Sequence, residues 1–224
     1  MPHSWHFPTG PMLQQIYRVQ PRSVLDIGAG FGKWGYLARD MLDFNLNRLT
    51  PGEWQVRIDG VDAFPYESPL LDWVYDSVFH VDIVEDPSVA TDYDLVILGD
   101  VIEHFPKAAG ERLLAEIVRR NRNVLVATPV EFFTQEIADN PFERHLSLWG
   151  PQDFLRHPAD IDRVGGSWVA LLGGKDHVHP LPPNQAASRI AMRALPILGR
   201  DMALSSFKKV AETGAKARLR LSGG

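Results

Sequence analysis

The sequence predicts an α/β fold: a mostly parallel sheet with an antiparallel edge hairpin, and helices on both faces. Three observations carry that expectation. Short apolar runs alternate with helical stretches between residues 23 and 127. A glycine-rich turn, Gly28-Ala29-Gly30-Phe31-Gly32, joins the first apolar run to the first of these helices. Two further runs flank Gly165-Gly166, a two-residue hairpin signal. Continuous apolar runs, as opposed to alternating ones, suit parallel strands covered on both faces.

The elements follow in order. Ser23–Ile27 reads as a strand, Val-Leu-Asp-Ile between turn signals, and Lys33–Leu42 as a helix. Residues 45–54 form an irregular insert with a turn at Pro51-Gly52. Residues 56–61 make a second strand ending at Asp62, 70–75 a short helix, and 77–81 a third strand ending at Asp82. Residues 94–98 are a fourth strand. Lys107–Arg120 is an amphipathic helix with Leu113, Leu114, Ile117 and Val118 on one face. Residues 123–127 are a fifth strand, stopped by Thr128-Pro129. Residues 130–150 are polar, aromatic and rich in titratable groups. Residues 151–156 form a short helix with Pro151 at its first position. Residues 161–164 and 167–172 pair as the hairpin. Residues 173–183 are a loop, 184–198 a helix broken by Pro196, and the tail from Ser205 frays. This gives one domain over 1–183 and a basic helical extension over 184–224.

Composition bounds the function. The chain has 224 residues, 45% apolar and 23% charged, enough for a core without staples. With no cysteine, a disulfide framework, a thiolate nucleophile, a Cys-based zinc site and an iron–sulfur cluster are excluded. The net charge of −5 is uneven: residues 189–224 carry eight Lys/Arg against two Asp/Glu, and residues 1–188 carry 15 against 26. An acidic body with a basic tail raises the question of a nucleic-acid contact, but the body, at −11, repels phosphates. No apolar stretch is long enough to span a membrane, and Met1-Pro2-His3-Ser4-Trp5-His6 lacks the basic-then-apolar layout of a secretory signal. A cytoplasmic protein with no membrane partner is expected. The tail is read as a helix and frayed end offering a homodimer contact.

The glycine turn carries the cofactor argument. A dinucleotide fingerprint needs G-x-G-x-x-G, but its third glycine would fall on Lys33, so a dehydrogenase is disfavoured. No P-loop pattern occurs either. The run Val24-Leu25-Asp26-Ile27-Gly28-Ala29-Gly30-Phe31-Gly32 resembles the first motif of the class I S-adenosylmethionine-dependent methyltransferases, and the likeness continues to about residue 172. It implies a Rossmann-like class I methyltransferase sheet with S-adenosylmethionine as cofactor. It places the methionyl part on Asp26, Gly28, Gly30 and Gly32, the ribose hydroxyls on Asp62, the adenine ring on Ala63 and Phe64, and the adenine amino group on Asp82. Gly99 and Asp100 would face the methyl donor. A carboxylate can accept from both vicinal hydroxyls. The insert lengthens the stretch before Asp62 and leaves Asp59 as an alternative ribose acid.

Methyl transfer to a hydroxyl gains from a base that removes its proton as the new bond forms. Two clusters offer one. Asp100-Val101-Ile102-Glu103-His104 follows the fourth strand, with His104 as base candidate and Glu103 beside it; the alternative is a helix cap and a packed histidine. The second cluster, after the fifth strand, offers His145 as base. Glu143 and Arg144 suit a hydroxyl-rich acceptor, Trp149 a sugar-stacking wall, and Tyr66 the acceptor mouth; the alternative is a solvated loop of internal ion pairs. Asp100, Glu103 and His145 could hold Mg²⁺, though no clear metal motif is present, and His177 with His179 makes a weaker pair. The expected activity is O-methylation of a small polar acceptor such as a sugar or mannoside, on a weaker likeness to bacterial sugar O-methyltransferases. Amine, RNA or protein targets and a non-catalytic cofactor-binding scaffold are the alternatives.

Overall fold

The computed structural model describes residues 5–135 and 140–177. Its seven strands are β1 (Ser23–Ile27), β2 (Arg57–Val61), β3 (Ser77–Phe79), β4 (Leu95–Gly99), β5 (Asn123–Pro129), β6 (Ala159–Val164) and β7 (Ser167–Gly173). They form one sheet in the order β3-β2-β1-β4-β5-β7-β6. The first five pair in parallel. β7 runs antiparallel to β5, from Asn123↔Gly173 to Pro129↔Ser167, and β6 antiparallel to β7. The α-helices are α1 (Thr9–Val19), α2 (Lys33–Leu42), α3 (Pro69–Val74), α4 (Lys107–Arg120) and α5 (Pro151–Phe154).

The two faces of the sheet explain the apolar runs. In β1 the successive residues Val24 and Leu25 are both fully buried but belong to different clusters. Leu25, Ile27, Val96 and Leu98 pack with Leu114 and Ile117 of α4. Val24, Ile58, Leu95 and Ile97 pack with Met12 and Ile16 of α1 and Trp34 and Ala38 of α2. Side chains alternate across a strand, so a strand covered on both sides is apolar at every position.

Several features depart from the sequence expectation or extend it: β5 continues through Thr128 and Pro129, β6 begins at Ala159, and α5 ends at Phe154. The helix α1, with Met12 and Ile16 at no exposure, precedes β1 where none was expected; Gly10 and Pro11 in its first turn obscure the pattern. β3 stops at Phe79, two residues short of the expected end. The insert is ordered by short 3-10 turns at Phe44–Leu46 and Pro51–Glu53, the second closed by a Thr50/Glu53 capping box. It is tied down by the fully buried Arg39, which pairs with Asp43 (2.7 Å) and Asp76 (3.0 Å) and lies over the Trp54 ring. Burial pushes the Asp43 carboxyl up, yet donors from the Gln55 amide, Arg39 and Arg48 outweigh it and hold it below the usual range. The expected helix over 184–198 and the tail lie outside the described residues.

The chain runs outward from β1 to β2 and β3, then returns to place β4 on the other flank of β1. Open α/β sheets bind ligands at such a switch point, outside the carboxyl ends of the strands. The glycine turn, Asp62 and Asp100 all leave the sheet at those ends.

Candidate functional site

A cavity of about 370 Å³ lies over this edge. Its floor is the turn after β1. Gly28, Gly30 and Gly32 take φ of 72°, 54° and 92°, a region that side chains with a β carbon rarely adopt. Gly28 and Ala29 donate to the Val61 carbonyl (2.8 and 3.1 Å), which presses the turn onto the end of β2. Asp62, the next residue, accepts from Gly30 N–H (2.8 Å) on one oxygen and from Phe64 N–H (2.9 Å) on the other. Burial pushes the Asp62 carboxyl up, and these two donors oppose the rise. Asp62 lines the cavity, and with one donor on each oxygen a carboxylate keeps a second lone pair on each.

Other residues of the cofactor half divide into lining and support. Gly28, Gly30, Asp62, Ala63, Asp82, Gly99 and Asp100 line the cavity. Asp26 does not: it is fully buried beneath the turn, accepting from Tyr75 O–H (2.6 Å) and Gly35 N–H (3.1 Å). Burial pushes its carboxyl up to about 7 despite those donors. Gly32 is the N-cap of α2, and the Phe64 ring packs on Tyr66 (4.8 Å); neither lines the cavity. Asp59 faces away, bound to Tyr93 O–H (2.6 Å) and Arg57. Of the two candidate acids, Asp62 lines the cavity and Asp59 does not. At Gly99 a β carbon would stand 1.9 Å from Trp34 Nε1, so the close approach of that indole requires glycine.

The acceptor half is built by the segments after β4 and β5. Asp100 has φ 56°, a strained conformation for a non-glycine residue that turns the chain sharply into the 3-10 turn Ile102–His104. Glu103 is 2% exposed. Its Oε2 accepts from Thr128 O–H (3.0 Å), and its carbonyl accepts from the amides of Leu146 and Ser147 (2.8 and 3.0 Å). Oε1 has no partner among the described residues. Burial, and then the charge of Asp100, push the Glu103 carboxyl well above its ordinary value.

Those two backbone bonds bring His145 to His104. The rings stand edge to face, 4.8 Å apart. His104 Nδ1 lies 3.2 Å from the Arg144 carbonyl, and because a carbonyl can only accept, Nδ1 carries the hydrogen of that contact; the Asp100 carbonyl is a second backbone partner of the ring. Burial lowers both histidines; the charge of His104 lowers His145 further. Both rings line the cavity. Glu143 accepts from Tyr66 O–H (2.8 Å), and Asn140 Nδ2 donates to the Tyr66 hydroxyl oxygen. Burial and then Glu143 raise the Tyr66 phenol, so it stays protonated.

Two expected acceptor residues stand elsewhere. Trp149 is 1% exposed, stacked on Phe154, with its Nε1 donating to Ser147 Oγ (2.8 Å) and Lys107 over its ring. It anchors the segment in the core and is no sugar-stacking wall. Arg144 is exposed and contributes its carbonyl to His104; its side chain does not line the cavity. His177 reaches only the Gly174 carbonyl, and His179 lies outside the described residues. Trp5, Lys33, Trp34 and Phe133 also line the cavity; the N-terminal and 130–150 segments were expected to meet an acceptor, but none of these four residues was singled out for it. Nothing in a lone N-terminal tryptophan marks it as part of a site formed 95 residues on.

A divalent cation was tested against the same cluster. Glu103, His104 and His145 offer ligand atoms all within 4.8 Å of one another. The partnerless Oε1 and the neutral imidazoles suit such an ion. Asp100 is not among these three.

No protein-family model matches the chain. Over 123 residues it is 31% identical to 3-methyl-2-oxobutanoate hydroxymethyltransferase of Pyrobaculum arsenaticum, covering 52% of this chain and 42% of that protein. The chain thus spans less than half of that relative's length. Among solved structures, the PH0226 protein from Pyrococcus horikoshii OT3 superposes with a TM-score of 0.53 at 14% identity, over 75% of this chain and 90% of that one. The small RNA methyltransferase HEN1 gives 0.51 at 17% identity, over 81% of this chain and 27% of that one. The N-terminal domain of EvdMO1 with SAH bound gives 0.50 at 14% identity, over 77% of this chain and 83% of that one. It was also solved in the presence of SAH and D-fucose. At these identities the likeness is one of fold.

Proposed function

We propose that this chain, which has the fold of the class I S-adenosylmethionine-dependent methyltransferases, transfers a methyl group from S-adenosylmethionine to a hydroxyl of a small polar acceptor, with a histidine as base. The observation that carries the reading is the facing pair of imidazoles, the half-buried His104 and the buried His145, on the same cavity as Asp62 and the glycine turn.

S-adenosylmethionine, when bound, supplies an electrophilic methyl on a cationic sulfur. The cavity is lined by five carboxylate residues, Asp62, Asp82, Asp100, Glu103 and Glu143, against one lysine, Lys33. That balance favours a cation and disfavours an oligonucleotide backbone. Asp62 holds the ribose hydroxyls, and Ala63, Asp82 and their neighbours frame the adenine. Gly28 and Gly30 let the backbone approach the methionyl chain, while Asp26 works from below by fixing Gly35 and Tyr75. Asp100 and Gly99 border the methyl position. His104 or His145 takes the acceptor proton; burial keeps either ring neutral and so able to accept it. Tyr66 and Glu143 offer a donor and an acceptor to acceptor hydroxyls. D-fucose accompanying SAH in one fold neighbour is consistent with a sugar.

A second reading is favoured by the partnerless Glu103 Oε1. Glu103, His104 and His145 would hold a divalent cation, whose charge would lower the pKa of an acceptor hydroxyl. The test is methyl transfer from labelled S-adenosylmethionine to a panel of glycosides, catechols and amines, with and without chelator. O-methylated product, lost in His104→Ala or His145→Ala and unaffected by chelator, supports the base. Loss on chelation, restored by added metal, supports the cation. N-methylated product alone contradicts both.

A further inference from the structure

The chain's own N-terminal segment forms one wall of the cavity. The backbone of Trp5 is held on both sides of its α carbon: its N–H donates to Asp100 Oδ2 (3.1 Å), and its carbonyl accepts from Lys33 Nζ (3.0 Å). The two anchors stand on opposite sides of the switch point. Asp100 leaves β4, and Lys33 opens α2 directly after the glycine turn. One residue therefore ties together the two elements between which a ligand would lie.

The ring is placed as deliberately as the peptide. The Trp5 indole lines the cavity and stacks on Phe133 at 5.8 Å and 29°; Phe133 in turn touches His145 at 4.4 Å. Behind it stands the turn between β6 and β7. A β carbon on Gly166 would come within 3.2 Å of the Trp5 ring, and one on Gly165 within 2.9 Å of the Phe7 ring. The bare turn is a shelf on which the two aromatic side chains rest. Yet Trp5 remains 43% exposed, far above the residues of either core cluster. Core packing does not account for a large apolar ring held in this position.

We infer that Trp5 is a ligand-binding residue of this site, whose peptide latches the cleft over a bound S-adenosyl compound and whose ring walls the reaction compartment from water. The inference rests on the reading that the cavity takes such a compound. A latch of two hydrogen bonds and one stacked ring is light enough to open for each exchange, as lids over reactive cofactors do. It must open, because it bridges both walls of the cleft.

The experiment is the dissociation of S-adenosylhomocysteine from the full chain, followed by chasing labelled ligand with excess unlabelled ligand. Three variants are compared with the unaltered protein, each checked for folding by circular dichroism and thermal melting. Trp5→Ala removes the ring. Gly166→Leu lies outside the cavity and pushes the ring off its shelf. Trp5→Phe keeps a stacking ring. The expected result is dissociation about tenfold faster in Trp5→Ala and Gly166→Leu, and within about twofold of the unaltered rate in Trp5→Phe, since interface changes act mainly on release. Unchanged dissociation in Trp5→Ala overturns the latch, whether or not Gly166→Leu folds. Equal acceleration in Trp5→Phe and Trp5→Ala overturns the role of the ring. Failure of the unaltered chain to bind S-adenosylhomocysteine at all is a different result, and removes the reading of the cavity itself.

Discussion

Replacing Asp62 by asparagine should weaken S-adenosylhomocysteine binding by roughly tenfold to a hundredfold. The carboxylate uses one lone pair of each oxygen on Gly30 N–H (2.8 Å) and Phe64 N–H (2.9 Å). One further lone pair on each oxygen is left, which under the proposed function takes a ribose hydroxyl. Asparagine keeps one oxygen, so one backbone bond and one hydroxyl bond survive. The other position becomes an NH₂ that faces a backbone N–H, a loss shared by the free and bound protein, and it meets the second hydroxyl as a neutral donor in place of a charged acceptor. A hydrogen bond to a charged group contributes about 1.5–3 kcal/mol net, and each 1.4 kcal/mol is about tenfold in affinity. The assay is isothermal titration calorimetry with S-adenosylhomocysteine. Asp59→Asn is the control, since that carboxylate serves Tyr93 and Arg57 away from the cavity; it should change thermal stability more than affinity. Wild-type affinity in Asp62→Asn, or equal losses in the two variants at equal folded fraction, would refute the assignment.

Three further outcomes follow from the same geometry. Trp149→Ala should destabilise the protein by about 3–5 kcal/mol in urea titration, as loss of a fully buried tryptophan does, while leaving the affinity for S-adenosylhomocysteine intact; a selective loss of acceptor binding would restore the sugar-stacking role. Asp26 is an acid whose folded pKa of about 7 lies above its unfolded value, so its neutral form is favoured by folding. Its contribution is present below about pH 4 and is lost as pH rises towards 7, by about 4 kcal/mol at most; Asp26→Asn should flatten that part of the stability profile, and a profile unchanged by the substitution contradicts the assignment. Because burial lowers both His104 and His145, turnover should fall only on the acid side, with its half-point below about pH 6.5; a half-point above neutrality would exclude either ring as the base.

Much of the sheet was legible because its strands are buried on both faces. Ser23–Ile27, Lys33–Leu42 and Lys107–Arg120 were expected within the bounds the structure gives them. The hairpin at Gly165-Gly166 was legible from its turn chemistry, and the antiparallel pairing of β7 with β5 is the outcome. The helix α1 was not legible, because Gly10 and Pro11 stand in its first turn and its burial comes from the sheet behind it. In the site, the sequence preferred Asp62 and kept Asp59 as the alternative; the strand register then places the first at the cavity and the second beside Tyr93. The pairing of His104 with His145 depends on the Glu103 carbonyl gathering the amides of Leu146 and Ser147, a backbone contact that no side-chain pattern announces. Trp149 misled for the opposite reason: an aromatic residue in a polar segment reads as a ligand contact, whereas here it is the anchor that makes the segment rigid.

The central claim is that one cavity holds an S-adenosyl compound with its reactive end towards the two histidines. A crystal structure of the complex with S-adenosylhomocysteine tests it most directly. The account predicts the ribose hydroxyls on Asp62, the adenine beside Asp82, and the sulfur beside Gly99 and Asp100 with its open side towards His104 and His145. A ligand bound elsewhere, or one whose sulfur faces away from both imidazoles, would contradict it.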